Sequence, residues 1–154
     1  GKPAEELCAL IPQNLQINLV VMTPKWNQEQ LLAVIDLYKD RSQTLRELVD
    51  GVIQLYKAPT GYDTESTGKW VTADTADLVQ QLSKELLNQK FVKQDLLAFV
   101  KLFAKGEDIK FPVIAQPIRI ALIGTSNGPG VFDMMELLGQ DETLVRLQQF
   151  YQKI

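Results

Sequence analysis

Histidine is absent from the 154 residues, cysteine occurs once, as Cys8, and arginine only four times, as Arg41, Arg46, Arg119 and Arg146. Without histidine there is no imidazole base, no Ser-His-Asp triad and no His-ligated metal. A single cysteine forms no internal disulfide, which fits a reducing compartment and an expected cytoplasmic location. No apolar run approaches the ~20 residues that a membrane-spanning helix needs, so no membrane partner is expected. The first residues, Gly1, Lys2, Pro3, Glu5 and Glu6, include no apolar signal-peptide core, and the missing initiator Met points to a piece of a longer protein. A basic excess is lacking too: the net charge is -3, whereas nucleic-acid binders draw much of their affinity from a basic footprint. Either the chain binds no nucleic acid, or a small cluster of side chains meets a few exposed bases while another part of the parent protein holds the phosphates. Arginine suits planar, bidentate contact with bases, so the positions of the four matter.

What is present is a 45% apolar composition, enough for a core, and one unusual stretch. Residues 115–139, AQPIRIALIGTSNGPGVFDMMELLG, hold two apolar runs around a glycine-rich loop. In one reading Ile118, Ile120 and Leu122 alternate as a strand and the glycines cradle a phosphate, making a nucleotide-binding α/β domain. In the other, Pro117 sits in the first turn of a short helix, Gly124 ends it, and Val131 to Leu138 form a helix closed by Gly139. The phosphate motifs do not fit. A P-loop places Lys and Ser or Thr after its last glycine, but Gly130 precedes Val131 and Phe132; Gly124, Gly128 and Gly130 run G-x-x-x-G-x-G, not G-x-G-x-x-G.

Helical spacing dominates elsewhere. Residues 4–10 read as a short helix, and 13–22 as either a strand or a helix. Thr23-Pro24 reads as a helix start, with Leu31, Leu32, Ile35 and Tyr38 inward as far as Lys39. Ser42 reads as the cap of a helix burying Leu45, Leu48, Val49, Val52, Ile53 and Tyr56, in which Gly51 marks a close helix contact. Residues 57–72, rich in Gly, Ser, Thr and Asp, read as a loop. Helical period returns from Ala73, with Leu78, Val79, Leu82, Leu86 and Leu87, then with Leu96, Leu97, Val100 and Phe103 up to Gly106. Asp141 opens a last helix with Leu144, Leu147 and Tyr151. The expected fold is all-α, in two small helical lobes.

The run AQPIRIALIG, a short loop ending in Pro129-Gly130, then Val131-Phe132 and ELLG, resembles the C-terminal anticodon-binding region of bacterial glutamyl-tRNA synthetase. That family shows A-Q-P-[LI]-R-x-A-[LV]-T-G, S/T-P-G-[LI]-F and a helix ending in LLG. The segment KDRSQTLREL is similar to its arginine-containing corner before a T-L-[KR]-E-[LFM] helix. Ile123 departs from the usual Thr, Gly128 from the usual Ser or Thr, and Phe111-Pro112-Val113 from a glycine turn.

The resemblance implies a first lobe over 1–56, a linker over 57–72 and a second lobe over 73–154. It implies a parent enzyme, a class I glutamate-tRNA ligase, that activates glutamate with ATP and Mg²⁺ in an N-terminal catalytic domain and transfers it to tRNA(Glu), with tRNA(Gln) a second candidate. This chain would select the tRNA, do no chemistry and hold no cofactor. Arg41 matches the arginine that reads the third anticodon base, C for glutamate and G for glutamine. Arg119 matches an arginine meeting the anticodon, and Gly128, Pro129, Gly130 and Val131 match a corner against which the first two bases pack. From the residues alone, Arg119 reads instead as a structural arginine capping a neighbouring helix, and the corner as a tight turn. Lys39, Arg46 and Lys110 would serve phosphates or be ordinary solvated surface. A helical protein-interaction module that has lost RNA binding is the alternative, favoured by the negative charge.

Overall fold

A computed structural model describes residues 19–154, which are helical or in turns with no strand among them. The expected helix over 4–10, Cys8 and residues 13–18 lie outside the described residues. Residues 19–22 are helical. The chain divides into two compact units, 1–57 and 58–154.

In the first unit, α1 spans Gln28–Lys39 and α2 spans Leu45–Tyr56. Helix α1 starts at a reciprocal cap: Asn27 Oδ1 accepts from the Gln30 N–H at 2.8 Å, and Gln30 Oε1 accepts from the Asn27 N–H at 2.9 Å. The start therefore falls four residues later than Thr23-Pro24 suggests, because the Thr23 hydroxyl is spent on the Leu19 carbonyl at the end of the preceding turn. Likewise Thr44, not Ser42, caps α2, accepting from the Glu47 N–H at 3.1 Å. Ser42 faces backwards and donates to the Tyr38 carbonyl at 2.9 Å.

The two helices pack against each other through Leu31, Val34, Ile35 and Tyr38 on α1 and Leu48, Val49, Val52 and Leu55 on α2, all buried. Burial of each large aliphatic contributes roughly 1.5–3 kcal/mol. Gly51 lies directly against the Tyr38 ring, in space that a Cβ would need. Trp26 meets Tyr56 edge-on, with ring centroids 4.8 Å apart.

The second unit holds α3 (Thr64–Trp70), α4 (Thr75–Leu86), α5 (Lys93–Gly106), α6 (Phe111–Ile123) and α7 (Val131–Lys153). Helix α6 is its axis: Ile114, Ile118, Ile120, Ala121 and Leu122 are buried, and α3, α4, α5 and α7 all pack on it. The alternation of Ile118, Ile120 and Leu122 belongs to this helix, so the α/β reading is overturned. Pro117 is not in its first turn but inside it; Pro112 occupies the first turn instead. Gly124 ends α6 in the left-handed conformation, at φ 84°. Gly139, at φ 80° and ψ 172°, breaks α7 into two segments, and Asp141 already lies within the second.

Residues 57–72, read as a loop, contain α3. A turn-rich composition concealed it, because Asp63 supplies the cap by accepting from the Ser66 N–H at 2.9 Å. Tyr62 just ahead stands edge-on to Phe150 of α7 at 5.2 Å. Gly106 does not take the stopping conformation after α5; Asp108 does, at φ 55°. Leu87 is 62% exposed, one residue past the buried Leu86.

Candidate functional site

Arg41 stands in the turn between α1 and α2, exposed to solvent. The turn is tied from beneath: the Tyr38 carbonyl accepts from the Arg41 N–H at 3.1 Å and from the Ser42 hydroxyl. No hydrogen bond or ion pair engages the Arg41 guanidinium among the described residues. Lys39 nearby is paired with Asp36 at 2.6 Å, while Arg46 is exposed. The result is a fixed backbone that carries a planar cation open to a ligand.

In the second unit the candidate site is the loop between Gly124 and α7. Arg119 projects from α6 into it. Its Nε donates to the Pro129 carbonyl at 3.1 Å, and its Nη1 donates to Gln116 Oε1 at 2.7 Å and to the Ser126 carbonyl at 3.4 Å. Arg119 is thus built into the loop from behind, as the residue-based reading expected of a structural arginine, although it holds a loop and not a helix end.

Pro129 and Val131 are buried, Gly128 is half-buried and Gly130 is exposed. The Pro129 ring is therefore no open platform for a base: it faces the interior while Arg119 holds its carbonyl. What the corner offers outward is the backbone around Gly128 and Gly130. A Cβ at Gly128 would run into Ile123, and one at Gly130 would come within 2.5 Å of Asp133 Oδ2. The Asp133 carboxylate beside the helix start, itself paired with Lys93 Nζ at 3.0 Å, opposes a phosphate there. Neutral groups such as bases suffer no such repulsion.

A third set of residues braces the loop from α3. The Asp63 N–H donates to the Gly124 carbonyl at 2.8 Å. Ser66 Oγ donates to Asp63 Oδ2 at 2.7 Å and accepts from the Ser126 N–H at 3.0 Å. The bond from the Ser66 side chain, then that from its backbone, holds the Asp63 carboxyl below its ordinary range.

The anticodon binding domain family matches this chain over residues 6–151. The chain belongs to that family. Among curated relatives of this anticodon binding domain, glutamate-tRNA ligase 1 of Aliarcobacter butzleri is 33% identical over 129 residues, covering 82% of this chain and 26% of the relative. The glutamate-tRNA ligase of Desulfosudis oleivorans is 34% identical over 123 residues, covering 79% of this chain and 26% of the relative. The chain thus spans about a quarter of the length of these relatives. A solved glutamate tRNA ligase from Elizabethkingia meningosepticum shares the fold with a TM-score of 0.81 at 21% identity, over 97% of this chain and 31% of that one.

Nowhere among the described residues do three His, Cys, Asp or Glu side chains gather as a metal site would require. No described helix is long and apolar enough to cross a membrane.

Two features went unread in the sequence. Ser66, buried, passed for one polar residue in a loop. Arg146, counted among the four arginines but given no role, is 1% exposed; its Nε bonds Glu142 Oε2 and its Nη1 bonds the Leu122 carbonyl, each at 2.8 Å. It thereby satisfies an end carbonyl of α6. The signal was the spacing Thr143, Arg146, Leu147, Phe150, a buried stripe at i, i+3, i+4 and i+7.

Proposed function

We propose that this chain is the anticodon-reading part of a glutamate-tRNA ligase, acting in the cytoplasm on tRNA(Glu), with its two units as the two anticodon-binding lobes. Family membership and the names of the relatives support this reading. The observation that carries it is the Arg41 guanidinium, exposed and without a partner among the described residues on a turn fixed by the Tyr38 carbonyl. An unpaired cytosine presents two adjacent acceptors, N3 and O2, on its pairing edge, and a guanidinium presents a matching fork of donors. Guanine presents two donors there and would meet the same fork donor to donor. Arg41 therefore accepts C and rejects G at the third anticodon position, which separates tRNA(Glu) from tRNA(Gln).

The loop takes the first two bases, with backbone groups at Gly128 and Gly130 facing them, while Arg119, Pro129 and Val131 set its shape. Base contact without a basic surface gives an isolated chain that binds weakly and with a shallow salt slope. ATP and Mg²⁺ would act in a catalytic domain of the parent enzyme. Binding of anticodon stem-loop RNAs with C or G at the third position tests this: Arg41→Gln should lose roughly 1–3 kcal/mol of discrimination. Equal discrimination before and after the substitution would remove Arg41 from the account, and an absence of binding would favour the protein-interaction module.

A further inference from the structure

Helix α3 buries one side chain, and it is a hydroxyl. Of its seven residues, Thr64–Trp70, only Ser66 is buried, at 3% exposure. No fully buried apolar side chain of α3 anchors it to α6. Its buried contact is directed at the loop: Ser66 Oγ lies 3.0 Å from the Ser126 N–H, 3.0 Å from Ser126 Oγ and 3.3 Å from Thr125 Oγ1.

We propose that Asp63 and Ser66 are positioning residues for the anticodon-reading loop, fixing its path so that the first two bases are selected on a preformed surface. This rests on the tRNA reading above. A hydroxyl has one proton and two lone pairs. Ser66 spends its proton on Asp63 Oδ2 at 2.7 Å, so towards the loop it can only accept. The Ser126 N–H and a loop hydroxyl fill that capacity. Asp63 in this way sets the polarity of the whole knot, and its own N–H fixes the Gly124 carbonyl at 2.8 Å. The Thr125 hydroxyl continues the chain, accepting from the Asn127 N–H at 3.2 Å. Arg119 holds the far end of the same loop through the Ser126 and Pro129 carbonyls. A loop held at both ends loses little conformational entropy when bases dock, so affinity and selectivity depend on the knot even though it touches no base.

The test uses this chain with anticodon stem-loop RNAs of tRNA(Glu) carrying single changes at each of the three anticodon positions. Ser66→Ala and Asp63→Ala should each lower discrimination at the first two positions roughly five- to tenfold. They should leave the C-to-G ratio at the third position unchanged and speed amide exchange at Ser126. Asp63→Asn keeps an acceptor and should restore both discrimination at the first two positions and the Ser126 exchange rate towards the parent values. A loss spread equally over the three positions, or no change in discrimination or exchange, overturns the positioning role while leaving the tRNA reading intact. If the unsubstituted chain discriminates at no position, the tRNA reading fails and takes this role with it.

Discussion

Arg119 Nε and the carbonyl oxygen of Pro129 lie 3.1 Å apart, joining the middle of α6 to the residue just before the α7 cap. The same guanidinium reaches the Ser126 carbonyl, so one side chain spans most of the loop. Arg119→Ala should cost about 1–3 kcal/mol, the usual consequence of stranding partly buried acceptors. Arg119→Lys should recover only part, since an ammonium cannot reproduce the fork. Urea unfolding of both variants checks the order.

Arg146 offers a second test of the same physics one turn further along, at the C-terminal end of α6. Removing it strands the Leu122 carbonyl and empties the space of a large buried side chain. Arg146→Ala should destabilise the chain by roughly 2–5 kcal/mol, as core truncations do. An unfolding midpoint close to that of the parent chain would show that the buried guanidinium is dispensable.

Gly51 separates helix propensity from packing. On an exposed helix Gly→Ala gains up to ~1 kcal/mol, but here the new methyl would collide with the Tyr38 ring. Overpacking costs about 1–3 kcal/mol, so Gly51→Ala should be destabilising on balance. A rise in thermal midpoint would contradict the close contact between α1 and α2.

Acid should loosen the knot at Asp63. The bonds from Ser66 depress its folded-state pKa below the ordinary 3.8. The stabilisation is therefore complete above the unfolded-state value and disappears as pH falls through the depressed one. Asp63→Asn, which has no proton to take up, should show a shallower decline in thermal midpoint between about pH 5 and 3 than the parent chain. Parallel declines would mean that the carboxylate contributes nothing through its charge.

Much of this architecture is written in helical spacing. The buried faces of α1 and α2 follow from Leu31, Ile35 and Tyr38 and from Leu48, Val49 and Val52, because an amphipathic stripe leaves few alternatives. Helix starts are less legible. Thr23-Pro24 has the right residues for a cap, yet Asn27 wins because Gln30 can return the bond. Pro117 misleads in the same manner: proline at a first turn is the common case, but Pro112 already fills that place and tertiary packing tolerates the second proline inside α6.

The site divides similarly. Arg41 is legible as a cation beside a turn, and its openness needs only local structure. The role proposed for Ser66 depends on a partner sixty positions away, Ser126, and no local pattern encodes that pairing. Arg119 was ambiguous for the same reason, since its partners Ser126 and Pro129 lie beyond the helix that carries it.

The most direct measurement is an NMR titration of this chain with the anticodon stem-loop of tRNA(Glu), following the Gly128 and Gly130 amides and the Arg41 Nε–H. Saturable shifts at both the loop and Arg41, weakened when the third base is changed from C to G, are the predicted result. Shifts confined to other surfaces, or unaffected by the change of base, would contradict the assignment of these residues to anticodon reading.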